Sequence, residues 1–177
     1  MEIPGRVALT RRRFSLVTIV WAILLGRRNL ERSPAAGDTG TQGDPYKVAD
    51  RTDLEELAFC SGSYFAQTAD ITLASQWQPL PTFTGNYQGN GRTIDGLTNT
   101  SNTAIRTALI RVIDGGTISD VNLTGVNISS PDYYSAGALA GELTGGAIVS
   151  GVSAAGSVSG EFQVGGLVGY TVVVPGE

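Results

Sequence analysis

Gly115-Gly116-Thr117-Ile118 and Gly145-Gly146-Ala147-Ile148 open two copies of one pattern, which close at Ala136-Gly137-Ala138-Leu139-Ala140-Gly141 and Val164-Gly165-Gly166-Leu167-Val168-Gly169. The interval from Gly115 to Gly145 is nearly the same as the interval from Gly137 to Gly165, so both parts of the pattern recur together. Repetition with a period of about 20–50 residues is typical of proteins whose units bury their apolar sides by stacking on one another. The stretch therefore predicts a repeat architecture.

Residue types within the copies favour strands over helices. The runs Val121-Asn122-Leu123 and Val126-Asn127-Ile128 alternate β-branched or apolar residues with polar ones, which is strand periodicity. We expect a parallel, right-handed β-helix with about three short strands per turn, an all-β fold whose core receives Leu139, Leu167 and Val168. Glycine adopts positive φ freely, so six glycines are predicted corners: Gly115, Gly125, Gly141, Gly145, Gly156 and Gly169. When the two copies are aligned, Ile118 corresponds to Ile148 and Val121 corresponds to Val152. The second pair is separated by one residue more than the first, which predicts a loop or bulge difference between the copies.

The closing block Gly165-Gly166-Leu167-Val168-Gly169 resembles the GLUG repeat of bacterial surface proteins and of regions beside the catalytic part of some IgA-cleaving metallopeptidases. The stretch Phe83-Thr84-Gly85-Asn86-Tyr87-Gln88-Gly89-Asn90-Gly91-Arg92-Thr93-Ile94-Asp95-Gly96-Leu97 is similar to the segment that leads into such repeats. Gln88 replaces the usual aspartate, and Thr107-Ala108-Leu109-Ile110-Arg111 lacks the glycines of a first block. The resemblance covers about Pro45 to Tyr170 and implies a scaffold.

The chain divides into three parts. Residues 1–32 resemble a signal peptide or signal anchor, residues 33–44 are small, polar and glycine-rich and predict a flexible linker, and residues 45–177 carry the predicted β-helix. The expected repeats lie near residues 89–112, 115–141 and 145–169. Four β-forming residues follow the last block without a cap, so we expect the front part of a longer protein; a chain that ends here would instead associate through its last turn.

Export is predicted from the N-terminus. Arg11, Arg12 and Arg13 precede an apolar run, Phe14 to Gly26, which is short for a membrane span and suits the core of a signal peptide. The run of Arg11, Arg12 and Phe14 also resembles the twin-arginine export motif. The apolar run is followed by Arg27 and Arg28, and the nearest candidate cleavage site contains a proline, which disfavours cleavage. An uncleaved signal anchor and a wrongly assigned start codon are therefore the alternatives. The expected location is the cell surface or the exterior.

Composition limits the partners and the chemistry. The 177 residues are 41% hydrophobic and 16% charged, include 24 glycines and carry a net charge of −4. This balance is typical of exported β-rich proteins, and the negative charge disfavours nucleic acid and anionic membranes as partners. The one cysteine, Cys60, follows Leu57-Ala58-Phe59, which predicts a buried structural thiol.

A short helix is expected where the folded part begins. Tyr46 to Ala49 predicts a strand, and Thr52-Asp53-Leu54-Glu55 matches a capping box that would open a helix over about residues 52–59. Such a helix would cap the first strand edges of the β-helix, or else lie on its surface. The nearby apolar residues Trp77, Pro79, Leu80 and Phe83 are expected to pack at the same end.

No catalytic constellation stands out. The absence of histidine excludes Ser-His-Asp and Cys-His catalysis and the common zinc motifs, and no calcium loop is present, so we expect no metal and no cofactor. Five aspartates recur near turns: Asp70, Asp95, Asp114, Asp120 and Asp132. Arg92 near Asp95 and Arg111 near Asp114 could serve a carbohydrate-active site, whereas aspartates at strand ends more commonly bond the turn backbone.

The expected function is a non-enzymatic, adhesin-like or scaffolding module. Tyr133 and Tyr134, in the longest loop between blocks, could contact sugar or protein, or pack over the strands below. Candidate partners are a host or envelope glycan, a protein, or a second copy of the chain. The alternatives are a carbohydrate-active β-helix enzyme, which needs converging carboxylates, and a scaffold segment of a larger surface peptidase.

Overall fold

The structure, a computed structural model, describes residues 38–100, 106–130 and 135–172. These residues form one short helix and fourteen strands. The helix is α1 (Arg51–Glu56), and the strands are β1 (Tyr46–Val48), β2 (Tyr64–Gln67), β3 (Ile71–Thr72), β4 (Leu80–Phe83), β5 (Asn86–Asp95), β6 (Thr98–Asn99), β7 (Arg106–Thr107), β8 (Ile110–Asp114), β9 (Thr117–Ser130), β10 (Ser135–Ala136), β11 (Ala140–Thr144), β12 (Ile148–Ser150), β13 (Ser153–Gly160) and β14 (Val168–Thr171).

The strands form three sheets in which all named strands pair in parallel. An eight-stranded large sheet contains β1, β2, β3, β5, β6, β9, β12 and β13. A four-stranded sheet has the order β14-β11-β8-β4, and a two-stranded sheet joins β10 to β7. The predicted all-β class is therefore confirmed, with parallel pairing.

From β4 onward the chain visits the four-stranded sheet, the large sheet and the two-stranded sheet in that order. We call each such circuit a pass and use the same name for the shorter circuits through β1, β2 and β3. In the four-stranded sheet Leu80 is paired with Ile110, Ile110 with Ala140, and Ala140 with Val168. The interval between successive partners is therefore nearly constant, and only the last interval is slightly shorter. In the two-stranded sheet Thr107 is paired with Ala136, which in turn bridges Val164.

Residues with positive φ mark the places where a pass changes direction. Eight of them fall into three groups that recur from pass to pass: Gly115 and Gly145; Asn90, Gly91, Asp120 and Gly151; and Gly96 and Gly125. The others among the described residues are Gly40, Gly146, Gly156 and Gln163. The predicted corners at Gly115, Gly125, Gly145 and Gly156 have positive φ, as expected. The predictions for Gly141 and Gly169 were wrong, because neither has a positive φ. At both positions a Cβ atom would approach backbone atoms of a neighbouring pass within 3 Å, so close packing explains these glycines.

The predicted register between the two copies was wrong by one residue at its start. Ile148 is paired with Thr117, and Val149, not Ile148, is paired with Ile118. The preceding pair, Asp114 and Thr144, still has the smaller offset, so the extra residue lies in the turn at Gly145 and Gly146. Ile148 consequently faces solvent, with 57% of its surface exposed.

Alternating side chains fill the core between the sheets. The predicted alternation in β9 is confirmed, since Val121, Leu123, Val126 and Ile128 are buried. Leu139 is fully buried, as predicted, while Leu167 and Val168 are only partly buried. The inward apolar side chains of successive strands thus form one continuous core.

Helix α1 differs from its prediction in both its cap and its length. Asp50, not Thr52, is the N-cap: its carboxylate accepts hydrogen bonds from the amides of Thr52 and Asp53. Thr52 lies inside the helix, whereas Asp50 precedes its first turn, where a side-chain oxygen can accept from the free amides of that turn. Asp53 completes the exchange by accepting from the amide of Ala49 at 2.9 Å.

The helix ends at Glu56, with Leu57 as its C-cap, and the chain leaves the core soon after. Phe59 has 73% of its surface exposed, and Cys60 is exposed too. The prediction of a buried Cys60 thiol was therefore wrong. Leu54 and Leu57 are buried as the helical spacing requires.

The apolar residues after the helix pack at the same end, as predicted. Trp77 is fully buried, and its indole nitrogen donates to the carbonyl oxygen of Leu109 at 2.8 Å. The guanidinium of Arg51 lies 5.3 Å from the centre of the Trp77 ring and also donates to the carbonyl oxygens of Ser75 and Gln76. These contacts fix α1 against the segment before β4.

The folded part begins before Pro45, within the segment predicted as a linker. The Asp44 carbonyl accepts from the amide of Thr41 at 3.2 Å, and the amide of Tyr64 donates to the carbonyl of Gly40 at 3.0 Å. Lys47 donates to the carboxylate of Asp38 at 2.8 Å. Residues 38–44 thus form a turn held against β1 and β2.

Candidate binding surface

A groove of about 340 Å³ lies on the outer face of the large sheet near its first strands. It is open to solvent on one side and lies within the size range of ligand sites. Its lining comes from the turn before β1 and from β2, β5 and β9: Gln42, Pro45, Tyr64, Phe65, Ala66, Asn86, Tyr87, Gln88, Thr117 and Ser119. We call it the groove.

Strand register brings residues that are far apart in sequence together in the groove. Tyr64 is paired with Asn86, and Asn86 with Thr117, so these three form one row across β2, β5 and β9. Ala66, Gln88 and Ser119 form a second row two residues further along. Side chains alternate between the two faces of a strand, so both rows share the outer face.

The row between them points into the core and supports the groove from below. It consists of Phe65, Tyr87 and Ile118, all buried. The Tyr87 hydroxyl donates to Oε1 of the buried Gln67 at 3.1 Å, and Gln67 Nε2 donates to the carbonyl of Thr93 at 3.0 Å. Burial raises the pKa of Tyr87 above its usual range, so the phenol stays neutral.

Part of the polar lining is already committed to the protein itself. Gln88 Nε2 donates to the carboxylate of Asp120 at 2.7 Å, and the Ser119 hydroxyl donates to Gln88 Oε1. By contrast, four lining side chains make no hydrogen bond within the described part of the chain: Gln42, Tyr64, Asn86 and Thr117. Two amides and two hydroxyls are thus free to bind a ligand.

Charge is balanced beside the groove. The residue paired with Ala66 on β1 is Lys47, whose ammonium is bound to Asp38. The hydrogen bond from Lys47 lowers the pKa of Asp38, and the same bond raises the pKa of Lys47, so both remain charged over the neutral range. Among the described residues, none that lines the groove is itself charged.

The aspartates singled out from the sequence lie at different corners. Asp120 itself has a positive φ in the corner shared with Asn90, Asp114 Oδ1 lies against Gly145, and Asp95 Oδ1 accepts from the Thr124 hydroxyl at 2.6 Å beside Gly125. Asp95 and Asp120 therefore bond side chains of a neighbouring pass rather than their own turn. Asp70 instead accepts from a backbone amide, that of Thr93 on a neighbouring pass.

Neither proposed pairing of an aspartate with a nearby arginine forms in the described ranges. Arg92 with Asp95, and Arg111 with Asp114, make no ion pair there. No group of three or more Asp, Glu or Cys side chains that could hold a metal occurs among the described residues. Asp132, Tyr133 and Tyr134 lie outside those residues, as do Arg11, Arg12 and Phe14 of the export signal.

The glycine blocks occupy equivalent positions in neighbouring passes. A Cβ atom on Gly137 would lie 2.4 Å from the Ala140 carbonyl and 2.8 Å from the Gly169 amide, and one on Gly165 would collide with the Val168 carbonyl. Gly166, by contrast, has no atom within 4 Å of its Cβ direction. The first and last glycines of each block therefore reflect close backbone packing, both within the block and against the neighbouring pass.

The last described pass leaves apolar side chains uncovered. Ile148, Phe162, Val164 and Tyr170 have between 41% and 57% of their surface exposed. They belong to β12, β14 and the segment before β14. Among the described helices, none is both long and apolar enough to cross a membrane.

Sequence reasoning missed the groove and the network beneath it. The usable signal was Gln67, two residues after Phe65, which places an amide on the buried side of β2. The row of Tyr64, Asn86 and Thr117 had no signal, because its members are unevenly spaced along the chain.

The sequence is 30% identical over 148 residues to halomucin of Haloquadratum walsbyi (strain DSM 16790 / HBSQ001). The match covers 74% of this chain and 2% of halomucin, so the chain spans only a small part of that relative. No protein-family description matches the sequence, and no solved structure matches the chain.

Proposed function

We propose that the chain is a non-enzymatic, exported parallel β-helix module of the GLUG type, which acts as a scaffold or in adhesion within a surface protein. The observation that carries the proposal is the repeated register Leu80, Ile110, Ala140 and Val168. Equivalent residues stack at a nearly constant interval, and the chain turns at glycine-rich corners between them. A right-handed coil is the expected hand for parallel strands joined in this way.

The GLUG assignment rests on where the glycines lie. Gly137 and Gly165 occupy equivalent positions with no room for a side chain, and Leu139 between Gly137 and Gly141 fills the core. The motif is thus explained by packing alone. A motif that serves packing carries no activity of its own, which favours a scaffold.

The first pass has the features of a cap. Leu54 and Leu57 line, together with core residues such as Leu80 and Leu139, an internal space of only about 10 Å³, which is at the lower limit for holding one water molecule. Helix α1 therefore packs closely over apolar side chains that would otherwise meet solvent. Capping of this kind blocks edge-to-edge association at that end of a repeat protein.

An extracellular location is supported by three observations. Arg11, Arg12 and Phe14 match an export signal, and the similar protein halomucin is by its name a mucin. The low charge and high glycine content of the chain agree with an exported β-protein.

A carbohydrate-active enzyme is the second candidate. It requires carboxylates that converge on one substrate, and Asp95, Asp114 and Asp120 lie at three different corners. The scattered carboxylates favour the non-enzymatic alternative. A scaffold segment of a larger surface peptidase would have the same fold. Only a catalytic part elsewhere in the parent protein would distinguish it from an adhesive module.

Cell fractionation tests the proposed location. The full chain, tagged at its C-terminus, is produced in bacteria and compared with an Arg11→Gln, Arg12→Gln double variant. We expect the unaltered chain in the envelope or medium, accessible to added protease, and the double variant in the cytoplasm. Recovery of the unaltered chain wholly in the soluble cytoplasm would overturn the proposal.

A further inference from the structure

We propose that the groove binds a neutral oligosaccharide, which would make this module a glycan-binding one; the inference deepens the proposed function and rests on it. The free groups fit such a ligand. Asn86 and Gln42 each offer an amide that can donate and accept, and Thr117 and Tyr64 offer hydroxyls. Vicinal sugar hydroxyls need this combination of donors and acceptors, and the groove supplies it from one face.

The charges in and around the groove favour a neutral glycan over a phosphorylated, sulfated or acidic ligand. The described lining has no cationic side chain, so a phosphate or sulfate group would find no counter-ion there, and the nearby Lys47 is paired with Asp38. The carboxylate of Asp120, bound to Gln88 at the rim, adds a further penalty for acidic sugars. A neutral glycan needs no counter-ion and is not repelled by this carboxylate.

Strand pairing argues against a peptide. β2 is paired with β1 on one side and β5 on the other, and β5 is paired with β2 and β9. An extended peptide gains most of its affinity by adding to an open strand edge, and the groove lies on a face. Only side chains are available there for binding.

The shape of the groove favours several sugar units over one. Its floor crosses three neighbouring strands, which are about 4.8 Å apart, so the rows extend over about 10 Å. The ring of Tyr64 lies at one end and can stack on the apolar face of a sugar, while Asn86 and Thr117 follow along the same row. The buried Tyr87 and Gln67 hold the floor rigid, which lowers the entropy cost of binding.

Binding of the purified chain to immobilised glycans tests the proposal. The probes are cellohexaose, maltohexaose and mannohexaose, with glucose and mannose as single units and polygalacturonate as an acidic polymer. Polysaccharide extracted from the producing organism's own envelope is a further arm, to be compared with the foreign glycans. We expect a hexasaccharide to bind, single sugars to bind at least tenfold more weakly, and the acidic polymer not to bind.

Matched variants locate the binding. Asn86→Ala and Tyr64→Ala are expected to weaken binding tenfold or more, whereas Asn127→Ala, an exposed asparagine elsewhere on β9, and Tyr170→Ala, at the far end, should leave it unchanged. If Tyr64→Ala alters the circular dichroism spectrum, Thr117→Val replaces it as the test variant, because it removes the hydroxyl and keeps the size of the side chain.

Three outcomes would overturn the inference: no neutral glycan binds, only the acidic polymer binds, or binding survives both Asn86→Ala and Thr117→Val. The test is independent of export. A chain that reaches the surface and binds no glycan contradicts this inference alone, and a chain that binds glycan in vitro but stays in the cytoplasm contradicts the proposed function.

Discussion

Residues 80–140 and residues 145–172 use the same strand pairing, yet they bury their side chains very differently. In the first region Ile110, Ile113, Ile118 and Leu123 are each at most 2% exposed. Between residues 145 and 172, all of which the structure describes, none is fully buried. Backbone hydrogen bonding between strands is therefore enough to form a pass, whereas burial of its side chains requires a neighbouring pass on each side.

The two ends of the described part differ in the same way. At the first end α1 and Trp77 cover the core, and Arg51 ties them together. At the other end Ile148, Phe162 and Tyr170 meet solvent. Stability should thus be concentrated between residues 46 and 144.

The largest expected effect comes from two isoleucines that the sequence aligns. Ile118→Ala removes a side chain that is 1% exposed and should lower the free energy of unfolding by about 2–5 kcal/mol. Ile148→Ala removes one that is 57% exposed and should change it by no more than about 0.5 kcal/mol. Urea unfolding followed by circular dichroism measures both. Equal losses would contradict the register described for β9 and β12.

A smaller effect is expected from the glycine blocks. Gly137→Ala places a Cβ atom against the backbone of Ala140 and Gly169 and should cost about 1–3 kcal/mol. Gly166→Ala, with open space around the new methyl group, should leave the unfolding midpoint almost unchanged. Thermal unfolding of the two variants side by side is the measurement. A destabilising Gly166→Ala would mean that the last pass is packed more tightly than its exposure indicates.

The smallest effect concerns Tyr87 under the groove. Its pKa is raised in the folded protein, so its contribution to stability is complete below about pH 10 and falls as the pH rises above that value. Tyr87→Phe should cost about 1 kcal/mol at pH 7, because Gln67 loses a donor, and should remove this alkaline loss.

Urea unfolding at pH 7 and at pH values above 10 measures the change. Tyr170→Phe, which removes an exposed hydroxyl in the last pass, is the control and should retain the alkaline loss. If Tyr87→Phe and the unaltered chain lost stability equally on alkaline titration, the buried hydroxyl would not be responsible.

The sequence predicted those features that depend on local alternation and spacing. Val121, Leu123, Val126 and Ile128 mark a strand face, and Gly115 and Gly145 mark corners, because each needs only its own neighbours to be recognised. The parallel, all-β class follows from the same signals.

Features that depend on the length of each pass were not predictable. The one-residue shift at Ile148 arises in a turn whose length has no sequence signature. Cys60 is exposed although an apolar run precedes it, so local composition did not predict its burial. The groove needs Tyr64, Asn86 and Thr117 in one row, and the first passes are shorter than the later ones, so no fixed period connects them.

The extra residue at the Gly145–Gly146 turn also bears on how such a chain can change length. The offset between paired strands grows by one residue there and returns to its earlier value after Ala154, while both neighbouring strands stay paired. The one-residue difference is therefore confined to the stretch between these two positions and leaves the later pairing unchanged. The open space around Gly91 and Gly146 makes these two corners the natural positions for inserted loops, so new surface segments can be acquired there without rebuilding the sheets.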